Sequence, residues 1–96
     1  MDGNLLSENC RGFDRFIENL SQASRLDIMK ASLCRGFVIG AMDTLTMKKE
    51  LCPPDGIDDE QAVDIVRLWL REHPEARHLS AVSLVQVALK EKFPCN

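Results

Sequence analysis

The chain has 96 residues, enough for one domain, and its 45% apolar content argues against disorder. A formal charge of −3 with both signs interspersed leaves no basic cluster for phosphates, which argues against nucleic acid and anionic membrane as partners. Aromatic residues make up 5% of the chain, and glycine and proline lie mostly between apolar runs, so an all-α fold is favoured over a sandwich or barrel.

A first helix is expected from about Leu5 to Leu20, because Leu6, Cys10, Phe13, Ile17 and Leu20 recur at spacings of three and four. Gly12 weakens it and allows a break near Arg11. Ser21-Gln22-Ala23 reads as the connection to the next element.

The second helix opens on Ser24 with Asp27 three residues later, the form of a capping box. It should end around Lys48 to Leu51, where two lysines suit the negative end of the helix dipole. Gly36 and Gly40 lie inside it, each costing about 1 kcal/mol relative to alanine. They share one face with Ser32 and Thr44, so a close neighbour is expected against that stripe: another helix of the chain or, alternatively, a second copy. Met29, Leu33, Phe37, Ala41 and Leu45 are expected to line the adjacent core face. Lys30, Arg35, Asp43 and Lys48 surround the glycine pair, so it is a soluble contact rather than a transmembrane motif. The apolar runs are too short to span a bilayer.

Cys52-Pro53-Pro54-Asp55-Gly56 is a firm stop and rigid turn. The third helix starts at Asp58 as N-cap, with Gln61 completing a capping box. Glu60, Asp64, Arg67 and Arg71 make a narrow polar strip. Ala62, Val63, Ile65, Val66, Leu68, Trp69 and Leu70 make an apolar arc wide enough for a central helix or one shared with a second chain. Pro74 ends it just after His73. A short polar loop from Pro74 to Leu79 leads to a fourth helix, with Ser80 as cap and Ala81, Leu84, Val85, Ala88 and Leu89 on one face. The fold expected is a small disulfide-linked bundle of four to five helices over residues 1–96.

The four cysteines, Cys10, Cys34, Cys52 and Cys95, contain no Cys-x-x-Cys pair, which argues against zinc ribbons and thioredoxin-like sites. Two disulfides in an oxidising compartment fit better. Three connectivities exist and spacing chooses none of them. The pairing expected here is Cys10–Cys34, clamping the first two helices, with Cys52–Cys95, tying down the chain end. Met1-Asp2-Gly3 lacks the basic region and apolar core of a signal peptide, which leaves either a cytoplasmic protein with free thiols or a mature exported segment with an added start methionine, and the cysteine count favours the second.

A Cys-His hydrolase is a distant third class, since no motif supports it and all four cysteines can pair off as disulfides. His73 and His78 are the only histidines, and neither has a Cys or carboxylate partner at metal-ligand spacing. His73 is explained by its place at a helix C-terminus. Asp55, Asp58, Asp59 and Glu60 lack the alternation of a calcium loop and suit a helix N-terminus. No cofactor or metal is expected. Trp69 fits the core, or an interface anchor. The segment Glu72 to Leu79 is a solvated turn in the plain reading. In the functional one it is a proline-stiffened element that enters a partner's groove at low ordering cost.

Cys34-x-Gly36-Phe37-Val38-x-Gly40-x-x-Asp43, Cys52-Pro53-Pro54, His73-Pro74, the run Ala81, Leu84, Val85, Ala88, Leu89 and the ending Phe93-Pro94-Cys95 together carry a resemblance. In order and spacing the chain resembles the Tai/Rap-type immunity proteins of type VI secretion, which neutralise peptidoglycan amidase toxins. The match runs from Cys34 to Asn96, more loosely over Asn4 to Cys10, while Phe13 to Ala23 is richer in apolar residues than the family pattern. The resemblance implies a periplasmic, disulfide-bonded, all-helical homodimer that inhibits without chemistry. Its partner would be an NlpC/P60-type cysteine amidase acting as a DL-endopeptidase, plugged at its active-site groove by a loop. Carried onto this chain, the plug is Pro74–Leu79, with Glu75, Arg77 and His78 as polar contacts and Leu79 as an apolar one. Arg67 and Arg71 would be supplied by a second subunit. The competing class is a periplasmic chaperone-like or structural module using its apolar faces, which would more often expose flexible, Met-rich surface.

Overall fold

The computed structural model describes residues 1–18 and 24–96, with residues 13–18 as helical backbone only. The expected end of the first helix at Leu20, the connection Ser21–Ala23 and the side chains of Phe13 and Ile17 lie outside the described residues. Four α-helices follow in order: α1 (Gly3–Glu18), α2 (Arg25–Met47), α3 (Asp59–Glu72) and α4 (Ala81–Lys92). A 3-10 turn, Pro74–Ala76, sits between α3 and α4.

Local chemistry sets the helix ends. The Ser24 hydroxyl accepts from the Asp27 amide at 3.1 Å, and the Asp27 carboxylate accepts from the Ser24 amide at 3.3 Å. Asp58 and Gln61 repeat the reciprocal pattern at 2.8 and 3.0 Å. Both capping boxes thus satisfy amides that the first helical turn leaves unpaired. Ser80 departs from expectation and makes no side-chain cap. The start of α4 is held instead by main chain, with the Ala81 amide donating to the Met1 carbonyl at 2.9 Å. At the end of α2, Glu50 donates to Leu45 O at 2.9 Å and Lys49 to Thr46 O at 3.0 Å. That is a Schellman motif, and it puts Lys49 at φ 61° where glycine is usual.

α2 packs against all three other helices. Its buried face is Ala31, Cys34, Val38, Met42 and Leu45. Facing it are Ala62, Val63, Val66 and Leu70 of α3 and the five expected residues of α4, all buried. Leu6 and Cys10 of α1, with Leu51, complete the core. The expected face Met29–Leu33–Phe37–Ala41–Leu45 is corrected: Met29 is 58% exposed and Leu33 49%. Steps of four residues advance a helical row by about 40° each, so a row that ends in the core at Leu45 has wound to the far side by Met29.

The close contact expected at the Gly36/Gly40 stripe is also corrected. A β-carbon on either glycine would meet nothing within 4 Å. The Ser32 and Thr44 hydroxyls on that stripe donate to carbonyls of their own helix, each at 2.9 Å. The glycine that lets two helices approach is Gly12, where α1, unbroken, crosses α2: a β-carbon there would lie 2.6 Å from Lys30 Cβ and 3.0 Å from Asp27 O. Both expected disulfides are present, Cys10–Cys34 joining α1 to α2 and Cys52–Cys95 joining the turn after α2 to the end of the chain. Solvent-screened ion pairs, Lys30–Glu8 at 3.1 Å and Arg35–Asp59 at 2.7 Å, link α2 to its neighbours and add little.

Candidate binding surface around the Pro74 loop

The loop after α3 is short and held from several sides. Pro74 fixes the first position of the 3-10 turn, and the turn closes with Ala76 donating to His73 O at 3.1 Å and Leu79 donating to Ala76 O at 3.0 Å. The His73 ring stacks on Trp69, with centroids 4.0 Å apart and planes 12° from parallel. Its Nδ1 lies 2.8 Å from the Trp69 carbonyl, and since a carbonyl only accepts, Nδ1 carries the proton. His73 therefore caps the last turn of α3, in keeping with its expected place at the helix end.

The second restraint comes from the N-terminal residues. Gly3 donates to Leu79 O at 2.9 Å and Asn4 to Arg77 O at 2.8 Å, while Asp2 and Ser80 form an antiparallel bridge. A β-carbon on Gly3 would come within 2.7 Å of Arg77 O and 2.4 Å of Leu84 Cδ1, so glycine is what lets α1 begin against the loop. Arg77 adds a side-chain tie, its Nε donating to the Leu70 carbonyl at 2.8 Å. The loop is thereby fixed while Glu75, His78 and Leu79 point outward as exposed side chains.

Arg67, Arg71 and Arg77 line one recess of about 300 Å³. Arg67 and Arg71 thus lie beside Arg77 within one chain. The pairing of Arg67 with Asp64 is an i, i+3 contact within α3. Burial, and then the neighbouring Arg71, lower the Arg67 pKa, although a guanidinium stays charged at neutral pH. Ser7, Cys10 and Arg11 of α1 form the opposite wall. Sequence reasoning missed Ser7 and Arg11, because nothing in a single helix announces which neighbour its polar side faces.

A second surface lies on α2. Gly36, Phe37, Gly40, Ala41 and Thr44 line an open groove of about 470 Å³ with Val82 of α4 at its edge. Leu33, Met29 and Val82 leave about half of their area to solvent.

All four cysteines are in disulfides, so a thiol nucleophile is not available. Among the described residues no three His, Cys, Asp or Glu side chains could hold a metal ion, and no helix is long and apolar enough to cross a membrane. Asp58 of the acidic cluster serves as a cap and Asp59 pairs with Arg35.

The arrangement defines a class: a small, disulfide-stapled, all-helical protein that presents a braced polar loop. The family model for Rap1a immunity proteins matches residues 2–95, and the chain belongs to that immunity protein family. Membership implies a cognate effector as its binding partner. A search of curated proteins gave no match.

Proposed function

We propose that this protein is a periplasmic immunity protein of type VI secretion that binds and inhibits a peptidoglycan amidase of the NlpC/P60 type. It acts as a homodimer, with residues 1–96 as one domain, and neutralises the toxin without chemistry of its own. The observation that carries this reading is the bracing of the Pro74–Leu79 loop. The 3-10 turn, the N-terminal amides and the Arg77–Leu70 bond order the loop before any partner arrives. A plug that is ordered in advance keeps binding energy that a slack loop would spend on ordering. Glu75, His78 and Leu79 stand exposed on it for contact with the amidase groove.

For the homodimer, the α2 groove is the surface of choice. Large apolar side chains flank two glycines with open space above them, and such stripes let a second helix approach closely. That packing would cover Leu33 and Phe37.

The test is inhibition of an NlpC/P60 amidase by wild type, His78→Glu and the Arg77→Glu/His78→Glu pair, with folding followed by circular dichroism. The single variant should weaken inhibition and the pair should abolish it while helicity is kept. Unchanged inhibition by the pair places the contact elsewhere. A pull-down that recovers many unfolded clients instead of one small cysteine amidase favours the chaperone-like alternative.

A further inference from the structure

Arg11 from α1, Arg67 and Arg71 from successive turns of α3, and Arg77 from the loop surround a single recess with Ser7 and Leu70 between them. Four arginines line it on a chain whose net charge is −3. Two of them are well placed to take a ligand. Arg77 is immobilised through Nε, which leaves the two terminal nitrogens of its fork for another acceptor. Arg11 is exposed and joins no ion pair among the described residues. Arg67, paired with Asp64, and Arg71 form the α3 wall of the recess, where burial and then the neighbouring Arg71 lower the Arg67 pKa. Planar forks of this kind match carboxylates in bidentate fashion.

The recess volume of about 300 Å³ stands at the small end for ligand sites, enough for one or two carboxylates and too little for a large cofactor. A polyanion would need a continuous basic track, which a recess of this size on a chain of net charge −3 does not supply.

We propose that the recess is a carboxylate-binding site, occupied in the complex by an Asp or Glu side chain that the effector presents beside the Pro74–Leu79 loop. The choice of occupant rests on the inhibitory reading of that loop; the carboxylate chemistry does not. The recess then acts as an anchor that sets the register in which the loop enters its groove.

The experiment is an NMR titration of the isotope-labelled full chain with glutarate, with its neutral diamide, and with inorganic phosphate. Glutarate should give saturable shifts at Ser7, Arg11 and Arg77 and the diamide none, while phosphate, which a single fork also matches, should bind about fivefold more weakly because it offers one anionic group where glutarate offers two. Combining Arg11→Gln with Arg77→Gln should weaken glutarate binding by about tenfold or more. Arg11→Gln alone, remote from the loop's hydrogen bonds, should show the same direction if the Arg77 substitution disturbs the loop. No saturable shift, phosphate binding at least as tightly as glutarate, or variants that bind glutarate like wild type would each overturn the site. A second arm measures amidase inhibition by Arg11→Gln. Equal inhibition by this variant and wild type overturns the effector side chain as occupant. If wild type inhibits no amidase, the functional reading and the occupant fall together, and the glutarate result still decides the carboxylate site.

Discussion

Gly12 of α1 sits so close to Lys30 of α2 that a β-carbon on the glycine would stand 2.6 Å from the lysine's own. The next atoms are main chain, Asp27 O and Ala31 N at 3.0 and 3.3 Å, which cannot rotate aside. Gly12→Ala should therefore push the helices apart and cost about 1–3 kcal/mol, as overpacking does. A urea titration reads this as a lower midpoint at unchanged slope. An unchanged midpoint would mean that the crossing has slack.

Gly36 and Gly40 should behave in the opposite way. With nothing near either position, alanine should stabilise the isolated chain by about 0.5–1 kcal/mol per site through helix propensity. The same methyl groups would fill the groove proposed for the second copy. Sedimentation of Gly36→Ala/Gly40→Ala should show weaker self-association together with a higher melting temperature. A dimer as tight as wild type would exclude this face.

Lys49 holds a left-handed conformation that carries a cost of about 1–2 kcal/mol for most residues with a β-carbon. Lys49→Gly keeps the two hydrogen bonds that close α2 and removes that cost, offset in part by the greater freedom of glycine in the unfolded chain. A net gain of about 0.5–1 kcal/mol is expected in chemical denaturation. A loss would show that the lysine side chain has a role of its own.

The two disulfides should differ in reducibility. Cys10 and Cys34 are buried to within 2% of their area, whereas Cys52 is exposed. Mild reductant followed by alkylation and mass analysis should label Cys52 and Cys95 first. In the chain-entropy model, sequence separations of 24 and 43 correspond to about 3.5 and about 4 kcal/mol. Loss of the exposed bridge should thus already lower the melting temperature by several degrees. Simultaneous labelling of all four cysteines would indicate that opening is global rather than local.

What was legible in the sequence was what neighbours in the chain decide. Both capping boxes stand as Ser24/Asp27 and Asp58/Gln61 foretold, since donor and acceptor are three residues apart. The α4 face was readable because Ala81, Leu84, Val85, Ala88 and Leu89 follow the i, i+3, i+4, i+7, i+8 pattern of one helical face. The α2 face was misread for the same geometrical reason in reverse, because a pure four-step row winds out of the core. Gly36 and Gly40 show that a small-residue stripe states what a helix permits, not whether a neighbour takes it up. The turn of the candidate site was legible at His73-Pro74, where proline dictates it. Its outer wall at Ser7 and Arg11 and its ties to Gly3 and Asn4 were not legible. Those depend on main-chain groups, which every residue carries alike, and on which helix docks where.

The hydrogen bonds from Gly3 and Asn4 to Leu79 and Arg77 join positions separated by most of the sequence. In kinetic terms the loop is a high-contact-order element built around a three-residue turn. The helices can form early from local contacts, but the shape of the loop is set only when these distant strands of backbone meet and the closure entropy has been met. The inhibitory competence proposed for the loop would therefore be acquired late and all at once. A nearly folded molecule, with every helix in place and the amino-terminal residues still undocked, would present the right side chains on a loop too loose to use them.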